Sequence, residues 1–133
     1  MTDSKLFKSF LIILFGVGIM EVITIKLYLF LTIFWFDMIM HFSGGFLVSM
    51  FFLWLLTWNN KQVSYGKILL WGVASAVVVG ILWEGFELYF GMTSLSSPLY
   101  IQDNGMDVIM DTAGGLVSVW YVFIKLKVYK GAS

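Results

Sequence analysis

The sequence lacks cysteine and arginine, and it contains one histidine and one proline among 133 residues. Without cysteine the chain can form neither a disulfide nor a thiolate metal site. Its eight basic residues are scattered lysines with no nucleic-acid-binding signature, so we expect no nucleic-acid partner. Only 12% of the residues are charged, whereas 60% are hydrophobic. A soluble domain of this length could not bury so much apolar surface, so the composition predicts a membrane protein.

Four apolar stretches are each near the ~20 residues that a helix needs to cross a bilayer. They cover residues 6–25, 32–58, 67–91 and 105–125. We therefore predict an all-α fold, a polytopic membrane four-helix bundle that forms one domain over residues 1–133. The first stretch follows two lysines, as the apolar part of a signal peptide does, but no small-residue cleavage site comes after it. We expect it to remain as a span.

Most lysines lie at one side of the expected bundle. The positive-inside rule therefore places both termini and the loop at residues 59–66 in the cytoplasm, and the other two connections outside. Lysines on the expected cytoplasmic side are Lys5, Lys8, Lys61, Lys67, Lys125, Lys127 and Lys130, and Lys26 lies on the other side.

Two stretches of nine residues nearly repeat each other. DMIMHFSGG occupies residues 37–45 and DVIMDTAGG residues 107–115, and five of the nine aligned positions are identical. The main chemical difference is His41 in the first copy against Asp111 in the second. We interpret the chain as two pseudo-repeated transmembrane hairpins, related by a twofold axis along the membrane normal. The paired glycines that end each copy would let helices approach closely in lipid.

Seven of the eight acidic residues fall in the outward half of the expected bundle. With a helical rise of about 1.5 Å per residue, each span has one polar group on the order of 10 Å below its outer end. Asp37 and His41 are four positions apart and Glu84 and Glu87 three apart, so each pair shares a helix face. Carboxylates at one depth repel unless they are protonated, hydrated or bridged by a cation, and Lys26 is the only lysine on that side.

These polar groups predict an outward-facing divalent-cation site in the bundle. The pattern is similar to a metal site of four-helix bundles, in which two helices give one carboxylate each and two give a carboxylate–histidine pair. Oxygen ligands with one imidazole favour Mg²⁺, Mn²⁺, Ca²⁺, Fe²⁺ or Zn²⁺, among which the sequence does not choose. Taken singly, His41 could be a hydrogen-bonded core residue, and Asp37 and Asp107 could be helix-start residues favoured by the macrodipole. The predicted metal ligands are Glu21, Asp37, His41, Glu84, Asp107 and Asp111.

The order D-x-x-x-H-F, then E-x-x-E, then D-x-x-x-D-x-x-x-D resembles that of YjdF-like and, more distantly, VanZ-like small bacterial membrane proteins. These elements lie here at residues 37–42, 84–87 and 103–111, and the resemblance spans roughly residues 37–120. It implies a multi-pass protein of the bacterial cytoplasmic (inner) membrane. The VanZ-like branch is associated with glycopeptide resistance at the cell surface, but this chain is short for the family, so that association is not transferred.

Three functions fit these patterns. The first is a metal-dependent enzyme that acts on a lipid or lipid-linked envelope substrate, with His41 or Glu87 as the catalytic general base. The second is a cation or proton carrier or channel, which would need a homo-oligomer to form a wide pore. The third is a non-catalytic accessory protein whose ion is structural and whose neighbours are membrane lipids. No motif identifies a reaction, and Glu87 alone could be a solvated interfacial residue.

Overall fold

The chain folds into helices that are each long and apolar enough to cross a membrane. The computed structural model describes residues 2–29, 33, 35–58 and 63–130. Large apolar side chains on the outside, such as Ile12 and Phe15, are 73% and 72% exposed, as expected of a surface that faces lipid. The predicted all-α, polytopic four-helix fold is confirmed. The helices are α1 (Thr2–Leu27), α2 (Phe36–Trp58), α3 (Tyr65–Tyr89) and α4 (Tyr100–Lys130).

Helices α2, α3 and α4 pack against one another, and α1 lies on the outside of this trio, against α2 and marginally against α4. Phe7 near the start of α1 stacks on Trp54 near the end of α2, with ring centroids 4.6 Å apart. The Tyr121 hydroxyl of α4 donates a hydrogen bond to Ser9 Oγ of α1 at 3.0 Å. The start of α1 and the end of α4 therefore lie together, at what we call the terminal end. We call the opposite end, where α2 and α4 begin, the mouth end.

Glycines allow the trio to approach closely at mid-helix. A side chain at Gly45 of α2 would overlap the backbone of Asp111 in α4, and one at Gly114 of α4 would overlap the backbone of α2. On α3, a side chain at Gly80 would overlap the carboxylate of Asp111. Close van der Waals contact of this kind drives helix association in lipid, where the hydrophobic effect does not. Gly44, the neighbour of Gly45, faces open space and is not a packing residue.

Toward the terminal end the bundle closes on buried apolar side chains. All four helices contribute to this group, and none of its members is more than 3% exposed. The side chains carry no polar atom, so they form a dry layer between the mid-helix contacts and the terminal end. This apolar cluster consists of Leu6, Leu53, Ile68, Val119 and Val122.

The end of α3 differs from the predicted span, which continued to Gly91. The helix ends at Tyr89 because Gly91 has a φ of +69°, in the left-handed region. The Gly91 N–H donates to the Leu88 carbonyl at 3.3 Å, and the Met92 N–H donates to the Glu87 carbonyl at 2.9 Å. This is a Schellman motif, which glycine favours because it has no Cβ to clash.

All four helix starts also differ from the starts of the predicted spans. α4 begins at Tyr100 rather than at residue 105, and Asp103 in its first turn interacts favourably with the helix macrodipole. α2 begins at Phe36, whereas the predicted start at residue 32 lies outside the described residues. The hairpin repeat stays a prediction. α3 packs against both α2 and α4, whereas α1 has its main contact with α2.

Candidate metal centre

His41 lies at the centre of a group of carboxylates, and only 7% of the residue is exposed. Its Nε2 atom lies 3.6 Å from Glu84 Oε1, 3.9 Å from Asp107 Oδ1 and 4.0 Å from Asp37 Oδ1. Its Nδ1 atom lies 3.2 Å from Asp111 Oδ2, within hydrogen-bond distance. The structure thus brings five of the six predicted ligands together around one imidazole.

Helix geometry explains why these side chains meet. On α2, Asp37 stands one turn before His41, and on α4, Asp107 stands one turn before Asp111, so each pair shares a face. Glu84 comes from α3, which runs antiparallel to the other two helices. The glycine contacts of Asp111 hold the three helices close at this level.

The group is buried except on the side of the mouth end. Glu84, Asp107 and Asp111 are 8%, 5% and 4% exposed, whereas the Asp37 side chain is 42% exposed. Asp103, one turn nearer the mouth end than Asp107, is exposed. Asp37 is therefore the most exposed of the four carboxylates around His41 and lies on the side of the mouth end.

The group has an excess of negative charge. In the described part of the chain, the ion pairs of these four carboxylates are all made by His41. One imidazole cannot balance four carboxylates, and carboxylates this close repel unless they are protonated or bridged by a cation. The arrangement favours the capture of a positive ion.

The distances suit a single metal ion. The ligand atoms of Asp37, His41 and Asp107 all lie within 4.8 Å of one another. Two atoms bound to one ion at about 2.1 Å lie about 3.0–4.2 Å apart, according to the angle between the bonds. The 3.9–4.0 Å from His41 Nε2 to the oxygens of Asp107 and Asp37 falls in that range. The 3.6 Å to Glu84 Oε1 does too, although Glu84 is not a member of this three-residue group. Carboxylate oxygens with one imidazole suit hard or borderline divalent ions.

One carboxylate oxygen of this group, on Glu84, has no hydrogen-bond partner among the described residues. This atom, Oε1, is buried. Buried polar atoms in proteins are normally hydrogen-bonded, because an unpaired one loses its interaction with water without replacement. This oxygen faces His41 Nε2, the same atom that Asp37 and Asp107 face.

Glu21 is the predicted ligand that the structure does not bring to His41. It lies on α1, outside the trio, and its Oε2 atom is buried without a hydrogen-bond partner in the described part of the chain. Glu87, the other predicted catalytic residue, is half-buried on α3. Its carboxylate accepts a hydrogen bond from the Trp83 indole N–H at 2.9 Å. Neither residue forms an ion pair or a hydrogen bond with His41 in the described structure.

Sequence reasoning missed the part that Gly80 plays in this centre. A side chain at Gly80 would occupy the position of Asp111 Oδ2, so the glycine makes room for that carboxylate. The signal was present, because Gly80 lies four residues before Glu84 and therefore on the same face of α3. A glycine one turn from a buried acid marks a place where another helix brings its own side chain close.

The chain belongs to a family described as "Predicted membrane protein (DUF2238)", whose sequence model matches residues 4–127. The match includes the polar residues of all four helices. A search of curated proteins and a search of solved structures found no match. The family and the four apolar helices together identify a multi-pass membrane protein.

Proposed function

We propose that this member of the DUF2238 family binds one divalent cation through His41 Nε2 and the carboxylates of Asp37, Glu84 and Asp107. The observation that carries this proposal is the buried, unpaired Oε1 of Glu84, 3.6 Å from an imidazole nitrogen that faces two further carboxylate oxygens. A cation among these atoms would pair the orphaned oxygen and relieve the repulsion between the acids.

The ligand set favours Mg²⁺, Mn²⁺, Fe²⁺, Zn²⁺ or Ca²⁺. Three carboxylates and one imidazole contain no soft sulfur donor, and the chain has no cysteine. The half-exposed Asp37 would let a water or a substrate atom approach the ion from the mouth end. Catalytic metal sites keep such a position, whereas closed structural sites do not.

We further propose a metal-dependent enzyme that acts on a lipid or a lipid-linked cell-envelope substrate. A divalent ion can lower the pKa of a bound water or polarise a carbonyl or phosphoryl oxygen. With both His41 nitrogens engaged, by the ion and by Asp111, Glu87 near the mouth end is the stronger candidate for the general base. No arginine is present in the chain, so the ion would supply the positive charge that a phosphate substrate needs.

The lysine distribution supports an orientation for this site. It places the terminal end in the cytoplasm and the mouth end, with the cation site, outside the bacterial cytoplasmic membrane. The resemblance to YjdF-like and VanZ-like proteins stays a prediction. The family match supports the coarser statement, a membrane protein.

A cation or proton carrier is the weaker alternative. Below Asp111, toward the terminal end, Ser49 and Ser118 are the next fully buried polar side chains on α2 and α4. The apolar cluster then fills the bundle with side chains that cannot bind an ion or relay a proton. This favours a site reached from one side of the membrane over a continuous path.

A structural ion in an accessory protein is the second candidate function. Its support is that the four ligands come from three different helices, so an ion would tie α2, α3 and α4 together. An ion that binds only the folded protein raises its stability, and the gain grows with the ratio of the ion concentration to the Kd.

Elemental analysis of the purified protein tests the cation site. We expect a stoichiometric divalent metal in the wild type, lost in His41→Gln and in Asp107→Asn. The exposed Asp103→Asn serves as the matched control on the same helix and should retain the metal. A wild-type protein that takes up no metal after soaking with each candidate ion would mean that the acids are protonated or hydrated instead.

A turnover screen on the metal-loaded protein then separates enzyme from structural ion. We expect hydrolysis or transfer on a lipid phosphate or ester, with Glu87→Gln inactive although its metal content is normal. Full metal occupancy with no turnover, together with a melting temperature that falls when the metal is chelated, would favour the structural ion. Cation flux into proteoliposomes that disappears in Asp107→Asn would favour the carrier.

A further inference from the structure

Asp111 stands apart from the other carboxylates around His41. Asp37, Glu84 and Asp107 all face Nε2 at 3.6–4.0 Å. Asp111 instead faces Nδ1, on the other edge of the ring, at the hydrogen-bond distance of 3.2 Å. An ion held by Nε2 would lie on the far side of the imidazole from this carboxylate.

The surroundings of Asp111 fix its carboxylate in place. The residue is 4% exposed, and a side chain at Gly80 of α3 would overlap its Oδ2, the same oxygen that meets His41. A side chain at Gly45 of α2 would overlap its backbone. The two neighbouring helices, α2 and α3, thus have glycine where they contact Asp111. The absence of side chains at these glycines leaves the space that the Asp111 carboxylate occupies.

We propose that Asp111 is a positioning residue that selects the tautomer and orientation of His41, and not a metal ligand. The Nδ1–H donates to Asp111 Oδ2, so the lone pair of Nε2 points toward Asp37, Glu84 and Asp107. Metal-binding histidines commonly donate their second ring N–H to a carboxylate, which fixes the ring and raises its basicity. The inference deepens the proposed cation site and rests on it for the metal, but the hydrogen bond that sets the tautomer does not depend on any ion.

The chain offers an unusually clean test because His41 is its only histidine. Protein labelled with ¹⁵N-histidine gives ring signals from this one residue. Spectra of the chelator-treated wild type, recorded above the pH at which the ring titrates, should show the proton on Nδ1. In Asp111→Ala the neutral ring should lose this preference. A proton on Nε2 in the wild type, or an unchanged spectrum in Asp111→Ala, would overturn the proposal.

Metal binding gives the second measurement. Mutation of the carboxylate that accepts the second N–H of a metal-bound histidine typically weakens metal affinity about 10–100-fold. We therefore expect Asp111→Asn to bind the metal with the same stoichiometry and an affinity reduced by about that factor. Asp107→Asn, the same chemical change one turn away on the same helix, should abolish binding. Equal loss in the two variants would make Asp111 a ligand and overturn the assignment.

The two measurements fail separately. If no metal binds to the wild type, the proposed function fails, while the tautomer in the metal-free protein still tests the role of Asp111. Asp111→Asn keeps the shape of the side chain and an acceptor oxygen, so it guards against a fold defect in Asp111→Ala. Gel filtration and the melting temperature of each variant identify such a defect.

Discussion

At the scale of single residues, the site depends on one imidazole with two different edges. Nε2 of His41 faces three carboxylates, whose negative charge one imidazole cannot balance. Nδ1 lies at hydrogen-bond distance from a fourth carboxylate, that of Asp111. In the proposed site, the ring therefore separates the three carboxylates that would bind the cation from the one that orients the histidine. The role proposed for each carboxylate therefore depends on which nitrogen of His41 it faces.

Glu84→Gln should have opposite effects on the metal-free and the metal-bound protein. Without metal, the change removes one negative charge from a buried group of carboxylates that repel one another, so we expect a gain in stability. With metal, the loss of a charged ligand should reduce the stabilisation that the ion provides. Thermal melts in detergent, with a chelator and with the ion in excess, measure both effects. Asp103→Asn, exposed on α4, should show neither.

Much of this site could be predicted from residue spacing. Four-residue steps place Asp37 with His41 and Asp107 with Asp111 on single helix faces, and equal depth in the membrane brings those faces to one level. Spacing could not assign Asp111 to Nδ1, because that depends on the side-chain conformation and on the room made by Gly80. It also placed Glu21 in the site, which the structure does not. Depth alone could not show that α1 lies outside the trio, where Glu21 does not reach His41.

At the scale of helices, close packing at glycine sets the position of the site. α3 has two glycines in this region with different surroundings. A side chain at Gly80 would overlap the Asp111 carboxylate, whereas one at Gly85 has open space within 4 Å. The first glycine is therefore needed for helix contact, and the second is not. Sequence alone could not separate them, because that requires knowing which helix lies opposite.

Gly80→Ala should displace Asp111 or push α3 away from α4. Overpacking of a tight contact costs about 1–3 kcal/mol, and we expect cation affinity to fall as well, because His41 loses its fixed orientation. Gly85→Ala on the same helix should be neutral or slightly stabilising, since alanine favours helix by about 1 kcal/mol over glycine. Melting temperature and metal affinity of the two variants provide the comparison. Equal behaviour would contradict the packing described for Gly80.

At the scale of the whole molecule, the bundle has two unlike ends. The terminal end is closed by the apolar cluster, and the mouth end carries the acids, of which Asp37 is half-exposed. The number and class of the helices could be predicted, because hydrophobic length alone identifies a membrane span. The outer position of α1 could not be predicted, because lipid and protein are equally apolar surroundings for its surface.

Single cysteines can test the orientation, because the chain has none of its own. Gly66 lies near the start of α3 with open space around it, and Leu95, 68% exposed, lies in the connection before α4. The two lie at opposite ends of the bundle. We expect a membrane-impermeant maleimide to label Leu95→Cys in intact cells and Gly66→Cys only after permeabilisation. Labelling of both from one side would contradict a membrane-spanning α3, and the reverse pattern would place the mouth end in the cytoplasm.

The apolar cluster has an electrical consequence. A membrane voltage falls mainly across regions of low polarity, and moving one unit charge through the whole drop involves about 2.3 kcal/mol per 100 mV. An ion bound at the proposed site from the mouth end would stop before the apolar layer of Leu53, Ile68 and Val122. It therefore crosses only the part of the field above that layer. Occupancy of the site should respond to the ion concentration on one side of the membrane, and only weakly to the energised state of the cell.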